Sequence, residues 1–213
     1  MSSGIPNIDL LTVIVIAANV TGGLMAVPQA TKLVASRRVH GVSPVWAAAS
    51  MTVNAWWVAY GFAIGDLGIV PVSVVSFMAY LAIGIALVRF GGHHRTALTM
   101  LAIVVLIGAV PLIAVRVGGW PTAGVVLGSL YGVQLLPAVV GVYRATDVSG
   151  VSLATWSIAF TEAVLWSVYG IARTDIGLIV LGASGTAMSG LVLARLLLRR
   201  TRQDYDVIGL APA

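Results

Sequence analysis

Few side chains in this 213-residue chain could do chemistry, and one stands apart: Glu162, in the stretch FTEAVLWSVYG, is the only acid inside an otherwise apolar run from 148 to 172. A charged side chain at the centre of a membrane helix costs about 2.5–3.5 kcal/mol on insertion scales, so its surroundings must compensate for it. Three roles fit: a proton-coupling group, a counter-charge for a cationic or zwitterionic solute, or a neutral acid hydrogen-bonded inside a helix bundle. Trp166 follows one helical turn later and shares its face. Trp57 also sits in the middle of an apolar run, whereas Trp46 and Trp56 are expected to face lipid or the membrane interface. A tryptophan at membrane depth needs a partner for its indole N–H, and its flat face stacks well on a sugar ring; packing between helices is the alternative. Asn54, one turn before Trp57, can offer an amide to the same space.

These roles presuppose a bilayer, and the composition supplies one. The chain is 59% hydrophobic and 9% charged with a mean hydropathy of +1.02, whereas soluble domains carry roughly a quarter charged residues. Charges divide it into seven apolar stretches: 10–31, 41–65, 67–88, 96–115, 117–143, 148–172 and 176–194. About 20 helical residues cross the hydrocarbon core, so each stretch predicts one transmembrane helix. The runs are continuous rather than alternating, which argues against a β-barrel. The opening residues MSSGIPNID carry no Lys or Arg, so the first helix is expected to stay in the protein. Without cysteine there is neither disulfide nor thiolate chemistry. One intramembrane carboxylate and no intramembrane histidine leave little for an enzyme to use, and neither a metal nor another cofactor is expected. His93 and His94 adjoin in a Gly-rich loop without a carboxylate partner, a weak basis for a metal site.

Lys and Arg set the orientation. Lys32, Arg37, Arg38, Arg89, Arg95, Arg144, Arg195, Arg199, Arg200 and Arg202 fall on one side of the seven spans, and Arg116 and Arg173 on the other. This predicts an external N-terminus and a cytoplasmic C-terminus in a multi-pass protein of the cell membrane. The net charge of +5 is then a topology signal in contact with lipid headgroups, not a nucleic-acid footprint.

The chain also resembles itself. At an offset of 109, residues 23–68 match residues 132–177 at 13 of 46 positions, among them Pro28/Pro137, Ser43/Ser152, Trp57/Trp166, Tyr60/Tyr169, Gly61/Gly170 and Asp66/Asp175. A directly repeated three-helix unit would begin its second copy on the opposite face, and a fourth helix corrects this. The expected plan is all-α, with a first repeat at 1–95, a linker helix at 96–118, a second repeat at 119–200 and a tail at 201–213. Such a 3+1+3 arrangement of parallel repeats places a solute site at the repeat interface near the midplane. Pro28 and Pro137 each remove a backbone donor, so each predicts a kink that is either a hinge or a static aid to packing. Asp66 and Asp175, at the ends of the second and sixth spans, suit helix caps as well as they suit a gate.

Pro28-Gln29, Gly41-Val42-Ser43 and Trp57-x-x-Tyr60-Gly61-x-x-x-x-Asp66, with Pro137, Ser152 and Trp166-x-x-Tyr169-Gly170-x-x-x-x-Asp175, resemble the PQ-loop superfamily and within it the SWEET and SemiSWEET sugar facilitators. The resemblance implies that Trp57 and Trp166 line a central pocket. It also implies that Pro28, Pro44 and Pro137 are three of four hinge prolines, the fourth position being Leu153, with Gln29 as a one-sided auxiliary whose counterpart is Ala138. An asparagine is expected seven residues after each aspartate; here those positions are Ser73 and Gly182. The implied partners are a small solute, with a mono- or disaccharide favoured, and membrane lipids; a homo-oligomer is compatible. The expected function is a SWEET-like sugar facilitator working by alternating access. The alternatives are a proton-coupled amino-acid carrier of the PQ-loop type, suggested by Glu162 and the missing asparagines, and a non-transporting seven-helix receptor.

Overall fold

The computed structural model describes residues 9–37, 39, 42–91, 94–145, 148 and 151–208; of 26, 28, 29, 32 and 199–208 it describes the backbone alone. Among the described residues all the regular structure is helical: α1 (Leu10–Ser36), α2 (Pro44–Ile64), α3 (Val70–Gly91), α4 (His94–Arg144), α5 (Leu153–Arg173) and α6 (Ile176–Ile208). The 51-residue α4 is two helical arms joined at Gly119, whose φ of 73° and ψ of −170° no helix accommodates. Seven helical rods result, matching the seven apolar stretches. The break falls at a glycine, where a left-handed φ is cheap, while the helix runs on through Pro137 to Arg144. Val70–Gly91, His94–Arg144 and Ile176–Leu198 are long and apolar enough to cross a membrane.

The helix starts follow from short polar side chains. Asp9 accepts from the Thr12 amide at 2.7 Å, Ser43 from Trp46 at 3.3 Å and Ser152 from Thr155 at 3.2 Å. Each satisfies an amide that the first helical turn leaves without a backbone partner. The Thr12 hydrogen bonds hold the exposed Asp9 carboxyl below its ordinary range. Pro44 occupies the first turn of α2, where its missing N–H costs nothing.

The packing order places α3 against both α1 and α2, and α6 against both α5 and α4, while α1 faces α5 and α2 faces α4. Lipid offers apolar surfaces no incentive to leave it, so close backbone approach and hydrogen bonds must join the helices. Two positions 109 residues apart show one solution of each kind. Asn19 on α1 donates to the Gly68 carbonyl at 2.9 Å and accepts from the Val72 amide at 2.7 Å, tying α1 to the start of α3. At the corresponding place on the second arm of α4 stands Gly128. A Cβ there would lie 2.6 Å from both the Gly177 oxygen and the Leu181 nitrogen, the atoms that correspond to Asn19's partners. One interface is bridged by an amide and the other is closed by its absence.

Gly128→Val would drive a side chain into the backbone of α6, where no rotamer change can relieve the overlap. Its thermal stability in detergent is expected to fall by an amount equivalent to about 1–3 kcal/mol or more, the usual range for overpacking. Gly141→Ala meets nothing within 4 Å and should melt with the parent; equal melting of both variants would show that the α4–α6 contact is not tight.

Candidate functional site

The face of α2 that carries Trp46, Ser50, Val53, Asn54 and Trp57 follows helical spacing, and it lines a cavity of about 600 Å³ with Trp156, Glu162 and Trp166 of α5 opposite. Helices α1, α3, α4 and α6 complete the wall, contributing among others Gly22, Ser73, Tyr80, Gln134 and Leu181. The cavity reaches the surface near the first turns of α2 and α5, where its lining residues Ser43, Val45 and Pro137 are exposed. At the other end Trp57, Tyr60, Ile69, Trp166, Tyr169 and Leu178 form one buried cluster. A smaller cavity of about 310 Å³, lined in part by Tyr60, Asp66, Arg173 and Asp175, lies at that end.

Glu162 is 9% exposed. Its Oε1 accepts from Trp166 Nε1 at a long 3.4 Å. Across the helix interface it rests against Gly22 of α1, where a Cβ would stand 2.5 Å from the same oxygen. Position 53, which corresponds to 162, is valine and also faces the cavity, so the charge lies on one side only. Trp57 and Trp166 are each 4% exposed, but only Trp166 has a partner for its indole. Among the described residues Trp57 Nε1 has none, which leaves a buried donor in the cavity wall. The neighbouring polar groups are partly committed to their own helices: Asn54 donates to the Ser50 carbonyl at 2.8 Å and Ser73 to the Ile69 carbonyl at 2.9 Å. Ser50 in turn donates to Gln134 Oε1 at 3.0 Å, joining α2 to α4.

The cluster end is fastened by a reciprocal exchange. Tyr60 of α2 donates to the Asp175 carboxylate at 2.9 Å, and Tyr169 of α5 donates to Asp66 at 2.8 Å. Each pair thus joins the end of α2 to the end of α5, in opposite senses. Arg173 adds an ion pair to Asp66 at 3.2 Å; the corresponding position on α2 is Ile64, so the second pair has no equivalent cation. The aspartates also bind backbone amides, Asp66 that of Gly68 and Asp175 that of Leu178, both at 3.0 Å. Asp175 is therefore cap and latch at once, while Asp66 is latch and closes the turn ahead of α3. Hydrogen bonds to a charged acceptor are stronger than neutral ones.

Of the residues singled out by sequence, Trp57, Trp166, Asn54, Ser73, Glu162 and Pro137 line the larger cavity. Gly182 is not among its lining residues: the direction of a Cβ there meets Ser167 and the Ala163 carbonyl of α5, and it serves α5–α6 packing. Pro44 opens α2 and is not among the lining residues. Pro28 and Gln29 lie within α1, and their side chains, like all of His93, lie outside the described residues. Trp46, which sequence alone places toward lipid or the interface, belongs to the cavity and meets Tyr80 edge-on at 5.1 Å, because it falls on the Ser50–Val53–Trp57 face. Gln134 carries no sequence signal of its own; the Tyr–Asp crossing was visible as a repeated motif but not as a contact.

No family model and no curated protein matches this chain. Among solved structures it is similar to a eukaryotic SWEET transporter determined at 3.7 Å, with a TM-score of 0.72 and 15% identity over 91% of this chain and 100% of that one. At this identity the likeness is one of architecture. The chain is a seven-helix membrane protein with the SWEET fold.

Proposed function

We propose that this protein is a transporter of a small polar solute that works by alternating access. One observation carries the reading: a cavity of solute size between α2 and α5 reaches the surface at one end and is fastened at the other by Tyr60–Asp175 and Tyr169–Asp66. Releasing those contacts while the opposite ends of α1, α2, α4 and α5 close would carry the cavity from one side to the other. In this reading 1–95 and 119–200 are the two rocking three-helix units, 96–118 is the linker, and 201–213 is a tail. Pro28, Pro44 and Pro137, with Gln29, provide the hinges. The charge asymmetry puts the latched end outside the cell membrane and the open end toward the cytoplasm.

A sugar facilitator is the version that the fold favours, with Trp57 and Trp166 as stacking faces and Asn54 and Ser73 as polar contacts. Gly182, buried against α5, drops out of the contact set. A proton-coupled carrier of the amino-acid type is the second reading, favoured by the single buried acid in the cavity wall.

Purified protein in proteoliposomes is expected to take up labelled glucose, and Trp166→Ala should lose about tenfold or more of that uptake through one lost aromatic contact, with its elution profile unchanged. Uptake that survives the substitution would remove Trp166 from the solute path. An imposed pH gradient separates the two versions: gradient-driven amino-acid uptake that vanishes in Glu162→Gln supports coupling, whereas gradient-independent sugar flux in both proteins supports facilitation.

A further inference from the structure

We infer that the solute carries a protonated amine together with hydroxyl groups and has no carboxylate of its own. The inference rests on the transport reading above and does not depend on whether a proton moves with the solute.

The argument is a charge inventory. The cavity is lined by one acid, Glu162, and among the described residues by no Lys, Arg or His. The carboxylate is buried, and the hydrogen bond it accepts from Trp166, at 3.4 Å, is too long to offset removal from water. A buried charge needs a counter-charge, and here the wall supplies none. A zwitterion would satisfy Glu162 with its amine but bring a second carboxylate with no cation to receive it. A neutral sugar would be matched only by the protonated acid, which then offers it no charge contact. A cation carrying only hydroxyls balances the carboxylate.

The surroundings suit such a cation. Trp46, Trp57, Tyr80, Tyr131, Trp156 and Trp166 line the cavity with Glu162. Aromatic faces attract desolvated ammonium groups more strongly than exposed ones. Asn54 and Ser73 have each spent a donor on their own helix, which leaves oxygen lone pairs on the cavity side of the balance. Trp57 Nε1, buried and without a partner, is the complementary donor and takes a hydroxyl oxygen. The asymmetry follows directly: the Val53 side receives the neutral part of the solute and the Glu162 side its ammonium.

Glucosamine and glucose, which differ by the amine, test this in the full chain. Binding is read by quenching of the cavity tryptophans and flux by uptake into proteoliposomes, at a pH below the amine's own pKa. Glucosamine is expected to bind about tenfold or more tightly than glucose, and Glu162→Gln, nearly isosteric and still able to accept from Trp166, should bring the ratio of the two affinities to about one. Equal binding of the two sugars, a preference for glucose, no binding of either, or a preference that survives in Glu162→Gln would overturn the inference. Binding with the expected preference but no flux of either solute would instead overturn the transport reading and leave the pocket assignment standing.

Discussion

The larger cavity ends where two hydroxyls and two carboxylates cross. Tyr60 reaches Asp175 while Tyr169 reaches Asp66, so each half of the chain holds the other through the same chemistry in opposite directions. Both aspartates are fixed at the same time by backbone amides, Asp66 by that of Gly68 in the turn before α3 and Asp175 by that of Leu178 in the first turn of α6. The cluster around Trp57 and Trp166 is therefore sealed by groups anchored in the main chain on each side. Charge-assisted hydrogen bonds are strong enough to hold a closed end, and few enough here for a modest compensating interaction to release them. Arg173 weights one crossing over the other, so the two need not part together.

Departures from symmetry recur through the molecule, and they have a common logic. Asn19 bridges a gap that Gly128 closes, which lets two related interfaces hold with different sequences. Glu162 faces the cavity where Val53 does on the other side, which gives a roughly symmetric container a polar end. The shared architecture needs only helix packing and capping to agree between the halves; the solute-facing positions are free to differ. A solute without twofold symmetry is met better by such a wall than by an evenly matched one.

Much of this was legible in the chain. Uninterrupted apolar runs gave seven helices, because a bilayer allows no other way to satisfy a backbone that crosses it. Ser43 and Ser152 stood out only as a repeated pair, and in the structure they cap helices, as Asp9 does. Trp57, Trp166 and Glu162 were found because an indole or a carboxylate within an apolar run has few neutral explanations. What the sequence hid depends on relations between helices. Trp46 was misplaced because its distance from the membrane middle says nothing about which neighbour covers its face. The role of Gly182 was set by the proximity of α5, and the bond from Ser50 to Gln134 joins residues 84 positions apart. Asp66 and Asp175 looked sufficient as caps until their tyrosine partners came into place.

The central claim is that the crossed contacts are one state of a two-state closure. The chain has no cysteine, so Ile64→Cys and Ile176→Cys, both exposed beside the latch, can carry spin labels as a unique pair. Pulsed dipolar spectroscopy in lipid nanodiscs is predicted to show two separations, with the longer one gaining population when Tyr60→Phe and Tyr169→Phe are introduced together. A single short separation, unchanged by those substitutions, would contradict the account.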